Sequence, residues 1–155
     1  MDGFEIKHES PLGDLAGALL QRYYDELATR FPSGFDPGED VAAQLREFLP
    51  PRGTFLVAYL DDVPRGCGAL RPLDVTTAEV RRMWIDPVAR GRGLGRQLLS
   101  ELEVVGRDLG YRQLCLDTSE HLREAIALYR SAGFIEVPDY NNNAAAAFWF
   151  GKVIA

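Results

Sequence analysis

Arg90-Gly91-Arg92-Gly93-Leu94-Gly95-Arg96 is the stretch of sequence that decides the fold of this chain. Its glycines stand at every second position, which frees the backbone to curl so that successive N–H groups point into one concavity. A helix predicted to begin at about Leu94 adds its unpaired first-turn N–H groups and the positive end of its dipole. The arginines surround the concavity with positive charge. The stretch therefore predicts a binding site for a phosphate or pyrophosphate group.

Two common phosphate-binding motifs do not fit this loop. A Walker loop requires Gly-Lys-Ser/Thr after four intervening residues, and the loop contains no lysine. A dinucleotide fingerprint requires a third Gly or Ala, and the corresponding positions hold Arg96 or Leu98, which would obstruct close packing of the helix on the strand. The alternative to a phosphate site is a glycine-rich turn with solvated arginines.

Length and composition restrict the class of protein. The chain has 155 residues, which fits one domain with a core of its own. Its hydrophobic share of 46% and charged share of 26% are typical of a globular protein in water. The net charge of −6 argues against a nucleic-acid partner, since such binders usually show a basic surface. The basic residues gather locally around the loop, which suits an anionic cofactor better than an anionic polymer.

The remaining compositional signals concern location and metals. Cys67 and Cys115 lie in apolar runs without the spacing of metal ligands, so we expect no metal. The amino terminus lacks the basic and apolar regions of a signal peptide. No apolar run approaches the roughly 20 residues of a membrane span. These features predict a cytoplasmic protein with no membrane partner.

Apolar spacing and turn residues predict the element order β-α-α-β-β-β-α-β-α-β-β. Strands both precede and follow helices, which favours an α/β (α+β) fold with a mixed central sheet and helices on both faces. The predicted ranges are a strand at 4–9, a helix beginning at Ser10-Pro11, a loop at 31–38, a helix introduced by Glu39-Asp40, a hairpin of 54–60 and 64–70, a strand at 79–86, a helix at 94–109, a strand at 112–118, a helix at 122–132, and closing strands at 134–137 and 148–153.

Two motifs in this order resemble those of the GNAT family of N-acetyltransferases. Arg90, Gly93 and Gly95 fill the fixed places of the family's Gln/Arg-x-x-Gly-x-Gly/Ala loop. The second motif is the predicted helix that ends at Gly133-Phe134, with Tyr129 four residues before the glycine. The resemblance implies a single acetyltransferase domain over 1–155. It also implies an enzyme that transfers acetyl directly from acetyl-CoA to a primary amine of a small molecule or peptide.

The resemblance also implies where acetyl-CoA binds. In the family two parallel strands splay apart and hold the pantetheine arm in the gap; here these would be the strands at 79–86 and 112–118. The family usually places an asparagine at the position of Leu122, so we expect Ser119 or a neighbouring polar residue to substitute for it. The implied cofactor-binding residues are Trp84, Ile85, Arg90, Gly91, Arg92, Gly93, Leu94, Gly95, Arg96 and Ser119.

Two residues are candidates for the proton transfers that acetyl transfer requires. The resemblance places Tyr129 next to the sulfur of acetyl-CoA, where a phenol of ordinary pKa near about 10 can protonate the departing thiolate. Glu79 stands where several relatives carry a base glutamate. The alternatives are a core aromatic for Tyr129 and, for Glu79, a solvated carboxylate paired with Arg81 or Arg82, with a water chain acting as the base.

The resemblance also implies that the acceptor enters opposite the cofactor, between the first two helices and the last strands. Phe31, Phe35 and Tyr140 offer aromatic faces near acidic residues, an arrangement suited to a small cationic amine. Ordinary packing of these aromatics is the alternative. Two further functions stay open: a non-catalytic acyl-CoA-binding regulatory module, and an acyltransferase that uses a longer acyl-CoA. A homodimer is expected from family analogy alone.

Overall fold

The computed structural model describes residues 3–38 and 40–155. Glu39, part of the predicted lead into the second helix, lies outside the described residues. The predicted element order is confirmed. In chain order the elements are β1 (Phe4–His8), α1 (Asp14–Arg30), α2 (Val41–Arg46), β2 (Thr54–Leu60), β3 (Val63–Pro72), β4 (Thr77–Ile85), a short 3-10 helix (Pro87–Ala89), α3 (Leu94–Asp108), β5 (Gln113–Thr118), α4 (Arg123–Ser131), β6 (Ile135–Glu136) and β7 (Phe148–Val153).

The strands form one mixed seven-stranded sheet in the order β1-β2-β3-β4-β5-β7-β6. Each neighbouring pair is antiparallel except β4 and β5, which run parallel. Side chains of a strand alternate between the two faces, and both faces of β2 are buried. Leu56 packs into the cluster with α3, whereas Phe55 and Val57 pack into the cluster with α1. Helices therefore cover both faces of the sheet, as the sequence predicts.

The start of α1 differs from the prediction. Ser10-Pro11 was expected to be the N-cap and first helical residue, but the helix begins at Asp14 with Gly13 as its N-cap. Ser10 instead closes a turn, in which its carbonyl accepts from the Gly13 N–H at 3.2 Å and its hydroxyl accepts from the Leu12 N–H at 3.2 Å. The hydroxyl thus bonds two residues ahead, as in a Ser/Thr turn, rather than capping a helix.

β4 and β5 separate soon after they begin. Their parallel pairing covers only the pairs Thr77–Gln113, Ala78–Leu114 and Glu79–Cys115. On its other side β4 shifts register against β3, where Arg82 adopts a positive φ of 57°. Such a bulge bends the strand and increases its local twist. The later half of β4 therefore leaves β5 and opens a gap in the middle of the sheet.

No helix within residues 3–38 and 40–155 is long and apolar enough to cross a membrane.

Candidate active site

The glycine loop leads directly into α3 at the open end of the gap. Gly93 is the N-cap of α3 with a left-handed φ of 82°, and no side chain in the described part of the chain caps the helix. The first-turn N–H groups of the helix, from Leu94 to Arg96, consequently have no intrahelical acceptor. Gly91 is also left-handed, with a φ of 79°, a conformation that residues with a Cβ rarely adopt. The loop thus has the free N–H groups and helix dipole of an anion site.

The loop's arginines are arranged differently from the expectation that all three surround the concavity. Arg90 donates from Nε to the Ile85 carbonyl at 2.9 Å and from a terminal nitrogen to both carboxylate oxygens of Glu26 at 2.8 Å. Arg96 donates to the Ser131 carbonyl at 2.8 Å. Arg92 is exposed and lies outside the cleft that the loop borders. The backbone, more than these guanidinium groups, provides the free donors.

Two clefts meet in the middle of the molecule. The loop cleft, about 280 Å³, is bordered by the glycine loop, by Trp84 and Ile85 of β4, and by α4. The aromatic cleft, about 440 Å³, is bordered by α1, by the loop that carries Phe31 and Phe35, and by the middle of β4. The two clefts share a wall formed by Tyr23, Leu27, Met83, Leu122, Ala125 and Tyr129.

Tyr129 stands in that shared wall. Its ring packs against Phe134 and Phe150, with centroids 5.9 and 6.3 Å away, and the residue is 6% exposed. Its hydroxyl makes no hydrogen bond to any described protein atom. Every fully buried side-chain oxygen and nitrogen of the described residues does have a hydrogen-bond partner, so this hydroxyl is not fully buried and reaches a cleft. Burial raises the pKa of Tyr129 above that of a free phenol. The group is therefore a protonated donor at neutral pH.

Glu79 lies elsewhere. It is 0% exposed and borders neither cleft. Its carboxylate accepts from Arg71 Nε at 2.8 Å and from the Tyr140 hydroxyl at 2.6 Å, and Arg81 approaches to 3.5 Å. The alternative of a solvated carboxylate is wrong, although Arg81 is one of its partners as expected. Tyr140 points at Glu79 and likewise borders neither cleft.

The other predicted residues divide between the clefts. Trp84, Ile85, Arg90, Gly91, Gly93, Leu94, Gly95 and Arg96 border the loop cleft. Phe31 and Phe35 border the aromatic cleft and pack edge-to-face, with centroids 5.8 Å apart. Ser119 borders the aromatic cleft instead of the loop cleft, and its hydroxyl accepts from the His121 N–H at 3.1 Å. Leu122, which stands where the family usually has an asparagine, lies in the wall shared by the two clefts.

Sequence reasoning missed three charged residues at the site. Glu26 holds Arg90 and accepts from the Trp84 indole N–H at 3.0 Å; these bonds lower its pKa even though burial opposes the shift. Asp117 borders the aromatic cleft and accepts from the Asn141 amide. Arg82 borders the same cleft from the bulge in β4. The adjacent pair Arg81-Arg82 within a largely buried strand was the available signal for Arg82.

Comparison with known proteins agrees with this arrangement. The profile of the acetyltransferase (GNAT) family matches residues 20–134. An "IAA acetyltransferase" of Azospirillum brasilense is 34% identical over 137 residues, which cover 88% of this chain and 87% of the relative. A GNAT acetyltransferase structure from Staphylococcus aureus aligns over 98% of this chain and 99% of its own, with a TM-score of 0.82 and 16% identity.

A GNAT acetyltransferase from Elizabethkingia anophelis, solved with acetyl-CoA bound, aligns over 99% of both chains with a TM-score of 0.72 and 18% identity. At such low identity the solved structures support the fold, whereas the profile and the curated relative establish descent. The chain therefore belongs to the acetyltransferase (GNAT) family of acyltransferases.

Proposed function

We propose that this protein is an acetyl-CoA-dependent N-acetyltransferase that moves an acetyl group directly to a primary amine of a small molecule or peptide. The observation that carries the proposal is the shared wall between the two clefts. An anion site with free N–H groups borders one cleft, a separate cavity lies on the other side, and a protonated phenol, Tyr129, stands between them. Two substrates entering from opposite sides would meet at that hydroxyl.

The loop cleft has the features that acetyl-CoA needs. The N–H groups from Leu94 to Arg96 would hold the pyrophosphate. Among the described residues, β4 beyond Glu79 has no strand partner on its β5 side, so its backbone is free to pair with the pantetheine amides as an added strand would. Arg90 occupies the Ile85 carbonyl in this structure. Since Arg90 is exposed, it can turn toward a phosphate and release that carbonyl.

The chemistry needs one bond formed, one broken and two proton movements. The amine nitrogen forms a bond to the acetyl carbon, and the bond from that carbon to the CoA sulfur breaks. Tyr129 donates its proton to the departing thiolate. The amine loses its own proton to water in the aromatic cleft. Glu79, which is held away from both clefts, then serves as the carboxylate that positions Arg71 and Tyr140.

Thermal melting with and without acetyl-CoA tests the proposal, together with thiol release across a panel of amines. At 100 times Kd, binding adds about 2.7 kcal/mol to the free energy of unfolding. For a chain of this size that corresponds to a rise in Tm of roughly 5–10 °C. No shift at saturating acetyl-CoA would contradict the proposed function.

The same experiment separates the alternatives. A melting shift without thiol release for any amine would favour the non-catalytic acyl-CoA-binding module. Faster release from longer acyl-CoA donors than from acetyl-CoA would favour the longer-chain acyltransferase.

A Glu79→Gln variant tests whether Glu79 is the base that takes the proton of the amine. If the variant has a lower Tm but the same pH dependence of kcat, Glu79 has a positioning role. If its Tm is unchanged but kcat no longer falls at acidic pH, Glu79 is the base.

A further inference from the structure

Arg82 is a buried arginine whose place in the aromatic cleft the acetyl-transfer chemistry does not use. It lies at the bulge of β4, with a positive φ of 57° that is rare for residues other than glycine and asparagine. The residue is only 8% exposed, yet it borders the aromatic cleft. A strained backbone and a buried charge both cost stability, and such features gather at binding sites.

The hydrogen-bond partners of Arg82 among the described residues are neutral. Its Nε donates to the Tyr24 hydroxyl at 3.2 Å, and a terminal nitrogen donates to the Gln44 side-chain oxygen at 2.6 Å. The guanidinium also lies 5.9 Å from the centroid of the Tyr24 ring and 5.6 Å from that of Phe48. No carboxylate of residues 3–38 and 40–155 lies within ion-pair distance of it. A guanidinium has five N–H donors, so donors remain for a ligand.

The neighbouring arginines of the cleft are different. Arg71 and Arg81 both pair with Glu79, at 2.8 and 3.5 Å, and Arg81 also approaches Asp117 at 3.8 Å. Their charges are therefore met by the protein itself. Arg82 alone among the three presents an uncompensated positive charge to the cleft within the described part of the chain. An anionic group in the cleft would supply the counterion that its burial calls for.

We propose that the acceptor of this enzyme is an amino acid, whose carboxylate binds Arg82 while its amine faces Tyr129; this inference rests on the proposed function. The guanidinium fork matches a planar carboxylate in two parallel hydrogen bonds. Asp36 and Asp117 also border the cleft, so a zwitterion meets charges of both signs there. Phe31 and Phe35 provide an apolar wall for the side chain.

This substrate class differs from the cationic amine that the aromatic and acidic residues predict from sequence. A polyamine or aminoglycoside would bring several positive charges next to Arg82, and like charges repel in a partly dry cleft. An amino acid brings one of each sign. The cleft volume of about 440 Å³ is within the range of pockets for small molecules.

The test compares each protein amino acid with its own amide, which keeps the amine and the side chain and removes only the carboxylate charge. Affinity for the CoA-saturated protein is measured by calorimetry, and turnover by thiol release. We expect at least one amino acid to bind roughly 10- to 100-fold more tightly than its amide, the range for loss of a charge-assisted hydrogen bond. The inference is overturned if no amino acid binds more tightly than its amide.

Variants identify Arg82 as the group responsible. Arg82→Gln should reduce affinity for the amino acid by a similar factor while leaving affinity for the amide within about threefold, and Arg82→Lys should fall between. Arg46→Gln removes the same charge from an exposed position on α2 that does not border the cleft, and should change neither affinity. Equal losses for amino acid and amide in Arg82→Gln would make the residue structural and overturn the assignment.

Failure of this inference is distinguishable from failure of the proposed function. A Tm shift with acetyl-CoA and thiol release with phenethylamine or spermidine, but no preference for a carboxylate, would keep the acetyltransferase and overturn the amino-acid acceptor. If a buried Arg82 variant does not fold, the comparison of amino acids with amides on the unmodified protein still decides the question.

Discussion

Replacing Tyr129 by phenylalanine separates the chemical role of this residue from its structural role. The change removes one oxygen that bonds to no described protein atom. The ring stays in contact with Phe134 and Phe150. We therefore expect the free energy of unfolding to change by no more than about 0.5 kcal/mol.

The expected effect on turnover is much larger. A positioned general acid contributes typically 10²- to 10⁴-fold, which corresponds to about 3–5.5 kcal/mol of activation free energy. Burial raises the pKa of Tyr129, so the phenol is protonated throughout pH 6–9 and the full loss should appear across that range. Affinity for acetyl-CoA should stay within about twofold, because the backbone N–H groups of the glycine loop are untouched.

Thiol release at saturating acetyl-CoA and acceptor measures kcat, and calorimetry measures cofactor affinity. Tyr23→Phe is the matched control, since Tyr23 also borders both clefts and burial raises its pKa to about 12. The reasoning is refuted if Tyr129→Phe leaves kcat unchanged over the whole pH range. It is also refuted if both variants lose the same factor, since a general loss of shape in the shared wall would then explain both.

Three further predictions concern the loop, the thiols and an ion pair. Gly93→Glu should abolish the Tm shift with acetyl-CoA, because it places a negative charge and a strained φ at the anion site. Gly93→Asn should keep part of the shift, because asparagine is neutral and tolerates a positive φ. Burial raises the pKa of Cys67 to about 12 and of Cys115 to about 11, so a thiol dye at pH 8 should react with neither until the protein is denatured. Burial opposes ionisation of Asp86, but the Val88 N–H and two guanidinium groups outweigh it and lower its pKa. This carboxylate therefore stabilises the fold at pH values above its unfolded pKa of about 4 and loses that effect as the pH falls through its native pKa. Asp86→Asn should lower the free energy of unfolding in urea at pH 7 by about 2 kcal/mol. It should also make that free energy less dependent on pH in the acidic range.

Local signals gave the most accurate predictions. The apolar spacing of α3 and the glycines on either side of it fix both ends of that helix, from Gly93 as N-cap to Gly110 with its φ of 92°. The second motif likewise places Tyr129 in the wall that both clefts share. The ends of α3 are decided by interactions within a few residues along the chain, so the local pattern contains them, whereas the place of Tyr129 follows from the resemblance of its motif to the family.

Long-range partners explain what the sequence could not provide. The isolation of Glu79 depends on Arg71, which β3 places opposite it, and on Tyr140, which arrives 61 residues later. The exposure of Arg82 to the aromatic cleft depends on a bulge whose register is set jointly by β3 and β4. No local pattern specifies which of two adjacent arginines finds a carboxylate and which does not.

The short parallel ladder between β4 and β5 has a mechanical consequence. Three residue pairs join the two sheet halves, β1–β4 and β5–β7, at this seam, whereas the antiparallel ladders on either side of it, β3 with β4 and β5 with β7, have six pairs each. We expect local opening of the sheet to occur first at this seam. The amide protons of β4 and β5 there should therefore exchange with solvent well before those of β2 and β3. A ligand lying along the gap would contact both strands that border it, so we expect donor binding to slow amide exchange on both sides of the seam.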